Sequence, residues 1–305
     1  MTRAVHTYSI FGLTVRSELA FGDYFQEAPA DAAADVEVRW GPIDFDKAAK
    51  PGYSTLPGGT LLRVPRTGAY LISAGREILV SPDPEGSERN LRLFLLGSAF
   101  GALLHQRGLL PLHANAVEID GRAVAFSGHS GAGKSTMAAW FHDRGHRILS
   151  DDVCVIATDE GGRALAYPGI PRLRLWREAL EASGRTADDY QRSFDDHDKY
   201  DVPTLEQLRS EPLVLDRVYM LRRAEEGSAE GRIARLSGVD AVDALVSNTY
   251  RGYYLSMIGR TGQHLMACVR IAKAVPIFSA ERVWGFDSFA EEAERLHAHA
   301  KAGAD

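Results

Sequence analysis

Short apolar runs separated by turn residues fill the first part of the chain. Residues 8–15, 36–40, 61–64, 69–72 and 78–80 are rich in β-branched, aromatic and leucine side chains, and Pro51-Gly52, Pro57-Gly58-Gly59 and Pro82-Asp83-Pro84 punctuate them. Such runs predict the strands of an antiparallel sheet or small sandwich. Between them, 27–35 is rich in Ala and acidic residues and predicts a surface loop. From Ser87 the pattern lengthens: the apolar stretch reaching Gln106 predicts a buried helix, with Ser87 or Glu88 at its start and Gly108 at its stop. Residues 109–119 and 122–127 then predict a hairpin across Asp120-Gly121. Good helix formers at 136–141, ahead of Gly145, predict a further helix. After residue 184 the chain turns polar, and 188–200 carries Asp189, Asp195, Asp196, Asp198 and Lys199. That run reads as a solvated loop or, in a nucleotide enzyme, a mobile lid. No internal repeat interrupts this order, which divides the chain into a β-rich segment, 1–86, and a mixed α/β unit, 87–305.

Composition narrows the function classes. The 305 residues are 45% apolar and 25% charged, ordinary for a soluble globular chain long enough to bury a large core. A net charge of −6 without any Lys/Arg block argues against a nucleic-acid partner. Cys154 and Cys268 are the only cysteines, far apart, which excludes a disulfide framework or Cys-rich zinc site and suits a reducing cytosol. The apolar stretch 93–104 is too short to span a bilayer, and the first residues lack a secretory pattern. The expectation is a cytoplasmic protein with no membrane partner; its oligomeric state stays open.

Residues Gly128, His129, Ser130, Gly131, Ala132, Gly133, Lys134, Ser135 and Thr136 satisfy G-x-x-x-x-G-K-[ST], the loop that cradles nucleotide phosphates. Glycines there let successive N–H groups face the phosphate oxygens, Lys134 would neutralise the β/γ-phosphates, and the Ser135 hydroxyl would ligate Mg²⁺. His129 would contribute its backbone N–H. The context fits, since 122–127 reads as a buried strand leading into the loop and a helix follows. The expected cofactors are ATP, or GTP, and Mg²⁺.

Asp151 and Asp152 follow Ser135 by 16 and 17 residues, at the end of a short apolar piece. Alone, such a pair reads as a turn or helix cap. Placed one helix beyond a phosphate loop, it supplies one carboxylate for the metal or its water and one to take a proton from an attacking hydroxyl. Neighbouring strand residues point to opposite faces, so a bend after Ser150 is required for both to reach one site.

His113, the phosphate loop, Gly145-His146-Arg147 and Asp151-Asp152 resemble, in order and spacing, the catalytic domain of HPr kinase/phosphorylase, a bacterial protein-serine kinase. The close resemblance covers about 109–155. It implies a phosphoenolpyruvate-carboxykinase-like core in the 87–305 unit and phosphoryl transfer from ATP to a serine hydroxyl. By position it makes Asp151 the catalytic base, Asp152 and Ser135 the Mg²⁺ ligands, and sets His113 and Lys134 close to the reacting phosphate. The order within the acidic pair is open to exchange, and His113 taken alone reads as a core histidine.

The chain departs from that family after the loop, where Thr136-Met137 stands in place of Ser-Glu, and at 167–176, where its Glu-Ile-Arg-Gly-like segment is missing. Phosphorolysis and HPr as substrate therefore fall outside what the resemblance implies. Residues 167–176 and the β-rich start are instead similar to a divergent branch that includes kinases acting on the C-terminal serine of lasso-peptide precursors. The acceptor expected is a peptide or small protein. Within 167–176, Arg172 and Arg174 alternate with Leu173 and Leu175, either as a solvated strand face or as guanidinium groups for a phosphate or carboxylate. Lys199, Arg251 and Arg260 are lesser candidates for the same role. The alternatives are a regulatory module that holds nucleotide without transfer, and a small-molecule kinase or ATPase on the same core.

Overall fold

The computed structural model describes residues 4–302 apart from 23, 24, 26, 30, 47, 49, 196, 205–210, 226, 227, 229 and 286. Asp196 of the acidic run and Ala30 of the expected surface loop lie outside the described residues.

The apolar runs of the first part form a seven-stranded sheet of β1 (His6–Ile10), β2 (Leu13–Ser17), β3 (Val36–Trp40), β4 (Gly52–Leu56), β5 (Gly59–Val64), β6 (Gly68–Ser73) and β7 (Glu77–Pro82), ordered β1-β2-β3-β7-β6-β5-β4. It is mixed, where the sequence predicts an antiparallel sheet: β2–β3 and β3–β7 run parallel. The reason is connection length. The segments before β3 and after it are long enough to return the chain to its starting edge, whereas the tight turns around Gly58 and Gly75 force antiparallel pairing.

The expected helix comes next as α1 (Glu88–Phe94), a π-helical turn (Leu95–Ala99) and α2 (Phe100–Gln106). Ser87 caps it, its side chain accepting from the Asn90 N–H, and Gly108 leaves at φ +76. A Cβ on Gly97 would sit 3.2 Å from Tyr250 Oη, and one on Gly101 3.0 Å from Tyr250 Cε1. The small residues thus let Tyr250 close against this helix. Its other side packs on the first sheet: Phe100, Leu103 and Leu104 join Ile10, Val15, Tyr70 and Ile78 in one apolar core. That core continues across the 86/87 junction and reaches Val153, Val155 and Ile170.

The rest of the chain supplies β8 (Leu110–Leu112), β9 (Ala114–Ile119), β10 (Arg122–Ser127), α3 (Lys134–Asp143), β11 (Ile148–Ser150), β12 (Cys154–Thr158), β13 (Ala164–Tyr167), β14 (Arg172–Trp176), α4 (Arg177–Ala182), β15 (Gln191–Phe194), β16 (His197–Pro203), β17 (Leu213–Arg223), β18 (Arg232–Leu236), α5 (Gly238–Ser247), α6 (Tyr254–Met257), α7 (Thr261–Ala274), β19 (Ile277–Arg282) and α8 (Phe289–Lys301). Strands β8–β13 and β17–β19 form a nine-stranded mixed sheet, and β14, β16 and β15 a three-stranded one. In the larger sheet β10, β17 and β19 run parallel. Period-2 alternation decides its two faces: Val124 and Phe126 meet Met137 and Phe141 of α3 and Leu296 of α8, while Ala123 and Ala125 meet Leu245 of α5 and Ile271 of α7. The fold is mixed α/β. Among the described residues no helix is long and apolar enough to cross a membrane.

Two further expectations change. The run 109–119 is broken at His113, because β8 pairs with β12 while β9 pairs with β10. The acidic run is a β-hairpin, β15–β16, rather than a loop or lid. Neighbouring cations make that strand pair tenable: Arg89 meets Asp195, Arg177 meets Asp198, and Arg172 meets Asp201.

Candidate active site

β9 and β10 turn at Asp120 (φ +49) and Gly121 (φ +77), a geometry that joins two twisted antiparallel strands and delivers β10 into the phosphate loop. The glycines of that loop are there for space as well as for backbone freedom. Gly128 stands at φ +143, and a Cβ on it would sit 2.6 Å from Leu221 O; at Gly133, φ +82, the added carbon would lie 2.5 Å from Arg282 Nη2. Gly133 is the cap of α3, so the free N–H groups of the first helical turn and the positive end of its dipole face the loop. His129, Ser130 and Gly131 are exposed at the tip, and Ala132, Ser135 and Thr136 are half-buried. Lys134 is buried, its ammonium donating to Gly128 O (2.8 Å) and His129 O (3.1 Å). Burial holds its pKa below the usual lysine range, opposed by the charges of Asp152 and Asp151.

β11 ends at Ser150, and the bend that the acidic pair needs comes directly after it, with Asp152 at φ +70. Asp151, 5% exposed, lies beneath Ser135: its Oδ1 is 3.4 Å from Ser135 Oγ, and its Oδ2 accepts the Arg174 N–H at 2.6 Å. Burial, reinforced by the Asp152 charge, pushes the Asp151 carboxyl up to about 6. Asp152 lines the cleft itself. Its Oδ2 accepts from Arg174 Nη1 at 3.0 Å, and its Oδ1 lies 3.6 Å from His113 Nδ1. Burial acts to raise this carboxyl too, but Arg174, Lys199, His113 and Lys134 outweigh it and hold Asp152 well below the usual carboxylate range. Two adjacent carboxylates are thus pushed apart by their surroundings.

His113 sits at the break between β8 and β9, where its N–H donates to Asn248 O at 2.8 Å. Its Nδ1 lies 2.9 Å from Asp152 O, a contact that ties the histidine to the backbone bend, and burial depresses its pKa. Ser127 Oγ donates to His113 O at 2.9 Å, linking the histidine to the last residue before the loop.

The loop, His113, Asp152, Arg174, Lys199 and Arg251 share one cleft of about 1450 Å³. Lys199 belongs to β16, opposite Trp176, and reaches the acidic pair from a strand rather than from a lid. Arg251 stands at φ +54 beside the Tyr250 ring, 5.4 Å from its centroid. Arg172 and Arg174 do share a strand face, but it points inward: Arg172 is 6% exposed and ion-paired with Asp201. Arg260 is not on the cleft wall; it precedes α7, and its Nη1 lies 3.6 Å from where a Cβ on Gly108 would be. Arg282 escapes a reading of sequence alone. It is 3% exposed, donates from Nη2 to Ala132 O at 2.7 Å, and is depressed to about 10 by burial. Its only local signal is an arginine closing an apolar strand.

No family model matches the chain, and no curated protein matches it in sequence. Among solved structures it is similar to the Hpr(Ser) kinase/phosphatase from Coxiella burnetii, at 15% identity and a TM-score of 0.35, over 63% of this chain and 99% of that one.

Proposed function

We propose that this chain is an ATP- and Mg²⁺-dependent phosphotransferase acting on a serine hydroxyl of a peptide or small protein. The observation that carries the reading is the convergence of Ser135, Asp151, Asp152 and His113 on the mouth of a phosphate loop. The donor set suits Mg²⁺, because Ser135 Oγ and the Asp151 carboxylate are hard oxygen ligands side by side, leaving the remaining positions to phosphate and water. Bound there, the ion would supply positive charge against the negative charge of the phosphates. Lys134 and the N–H groups opening α3 hold the donor phosphates. Asp152, kept ionised by Arg174 and Lys199, accepts the hydrogen bond of the acceptor hydroxyl. It takes that proton as the serine oxygen bonds to phosphorus and the bond to the β,γ-bridging oxygen breaks. His113 holds the bend that aims Asp152.

This assignment exchanges the roles that the resemblance implied for Asp151 and Asp152. The reason is position: Asp151 is enclosed against Ser135, and Asp152 faces the cleft. The narrower acceptor, the C-terminal serine of a lasso-peptide precursor, rests on the resemblance of 167–176. Of the two arginines there, Arg172 is enclosed against Asp201 and Arg174 is paired with Asp152, so Arg251, which also lines the cleft, is the guanidinium group we assign to a peptide carboxylate.

Incubation with γ-labelled ATP, Mg²⁺ and serine-containing peptides tests the reading. Labelled peptide is expected, with Asp152→Asn retaining ATP binding and losing transfer by at least about 100-fold. Label released only as free phosphate makes the chain an ATPase, and binding without turnover makes it a regulatory module. Undiminished transfer by the Asn variant removes Asp152 from the chemistry.

A further inference from the structure

The three parallel strands β10, β17 and β19 all end at one edge of the nine-stranded sheet. The segments leaving these strands converge there, as ligand sites in such sheets do. β10 gives the phosphate loop, β17 ends in Arg223, and β19 ends in Arg282 followed by Val283, Trp284 and Gly285, which line the same cleft as the loop. Arg282 joins these two walls: Nη2 bonds Ala132 O at 2.7 Å, Cζ stands 5.3 Å over the Phe289 ring, and Nε finds no acceptor among the described residues.

Trp284 is 49% exposed on this wall. Arg223 Cζ lies 5.7 Å from the centre of its ring, so a cation stands over the indole of a residue that lines the cleft. A flat, half-exposed ring fixed next to a phosphate cradle suits a ligand that carries a flat aromatic group on a phosphate tail. We propose that Trp284 is the platform on which the nucleotide base stacks, with Arg223 behind the ring and Arg282 coupling the platform to the phosphate loop. The inference rests on the nucleotide reading of residues 128–136 and adds the residue that holds the base. Stacking accepts any base with a π-face, so the platform does not choose between ATP and GTP.

Trp176 also lines the cleft and is 49% exposed, but it comes after Arg174 on β14, the strand that serves the acidic pair. It is therefore the comparator. Titration calorimetry with ATP and with inorganic tripolyphosphate, both with Mg²⁺, separates base from phosphate. Trp284→Ala is expected to weaken ATP by roughly 5- to 150-fold and leave tripolyphosphate unchanged. Trp284→Phe, which keeps a ring, is expected to stay close to the parent protein. Equal losses for the two ligands, an unchanged ATP affinity, or a base-dependent loss in Trp176→Ala in place of Trp284→Ala would overturn the platform. A parent protein that binds neither ligand would overturn the nucleotide reading itself, and this inference with it.

Discussion

At the scale of single residues, Asp151 sets a pH dependence whose sign is fixed by its burial. Its carboxyl titrates at about 6 in the folded chain against an ordinary value of 3.8. A raised carboxyl binds its proton more tightly when folded, so its stabilising contribution is complete below pH 3.8 and lost as the pH rises through 6. At neutral pH the ionised group therefore costs the metal-free fold on the order of 2–3 kcal/mol. Asp151→Asn is expected to raise the melting temperature at pH 7.5 in chelator, with the gain vanishing near pH 4; an equal gain at both pH values would contradict the burial account. Gly133→Ala should act oppositely. Its Cβ at φ +82 meets Arg282 Nη2, so the Arg282–Ala132 bond is lost and nucleotide affinity, read by calorimetry, should fall at least about 10-fold. These two positions also mark what is legible in the chain. The loop and the acidic pair are local patterns, and their separation by one helix is written in the sequence. Arg174 is marked as a candidate by its alternation with Leu173 and Leu175, whereas Arg282 reaches the site only through the pairing of β19 with distant strands, which no spacing along the chain records.

Elements are legible where a local signal fixes both ends. Ser87 and Gly108 bracket the long helix, and Asp120-Gly121 closes the hairpin, because caps and positive-φ turns are decided by the residues themselves. The π-helical turn is not legible, since it lies where Gly97 and Gly101 face Tyr250, about 150 residues away. Nor is the parallel pairing of β3, because period 2 identifies a strand without naming its neighbour. The acidic hairpin reads as a loop for a related reason: its charges are answered by Arg89, Arg177 and Arg172 from other elements. Ser87 carries a test at this scale. Its hydroxyl both accepts from the Asn90 N–H and donates to Asp195 Oδ2 at 2.7 Å, so it caps the helix and ties it to the β15–β16 turn. Ser87→Ala should cost about 1–2 kcal/mol in urea unfolding. Ser87→Asp keeps the cap but repels Asp195, and should recover less than the whole loss.

For the whole molecule the question is why a β-rich sheet is attached to the unit that carries the loop 128–136, and the contacts between them give it a structural part in the site. The β1–β2 turn docks on the segment ahead of β14: Phe11 N–H donates to Pro168 O at 2.8 Å, and a Cβ on Gly12 would stand 2.3 Å from the Tyr167 ring. That segment in turn holds the acidic strand, since Gly169 N–H donates to Leu149 O at 2.8 Å and the chain then runs on to Arg174, whose N–H bonds Asp151. The first sheet therefore braces the strand that positions both carboxylates, while the phosphate loop hangs from β10 and Arg282. Gly12→Ala tests this division. At φ +72 the added methyl strains the turn and collides with Tyr167, which costs about 1–3 kcal/mol and shifts 167–170 away from Leu149. Because Arg174 moves with that segment and the loop does not, kcat for phosphoryl transfer should fall at least about 10-fold while the ATP dissociation constant stays within about 3-fold. Tyr167→Ala, which removes the ring and makes room, should partly restore kcat in the Gly12→Ala background. A parallel loss of ATP binding would mean that the sheet supports the fold as a whole rather than the acceptor side of the site.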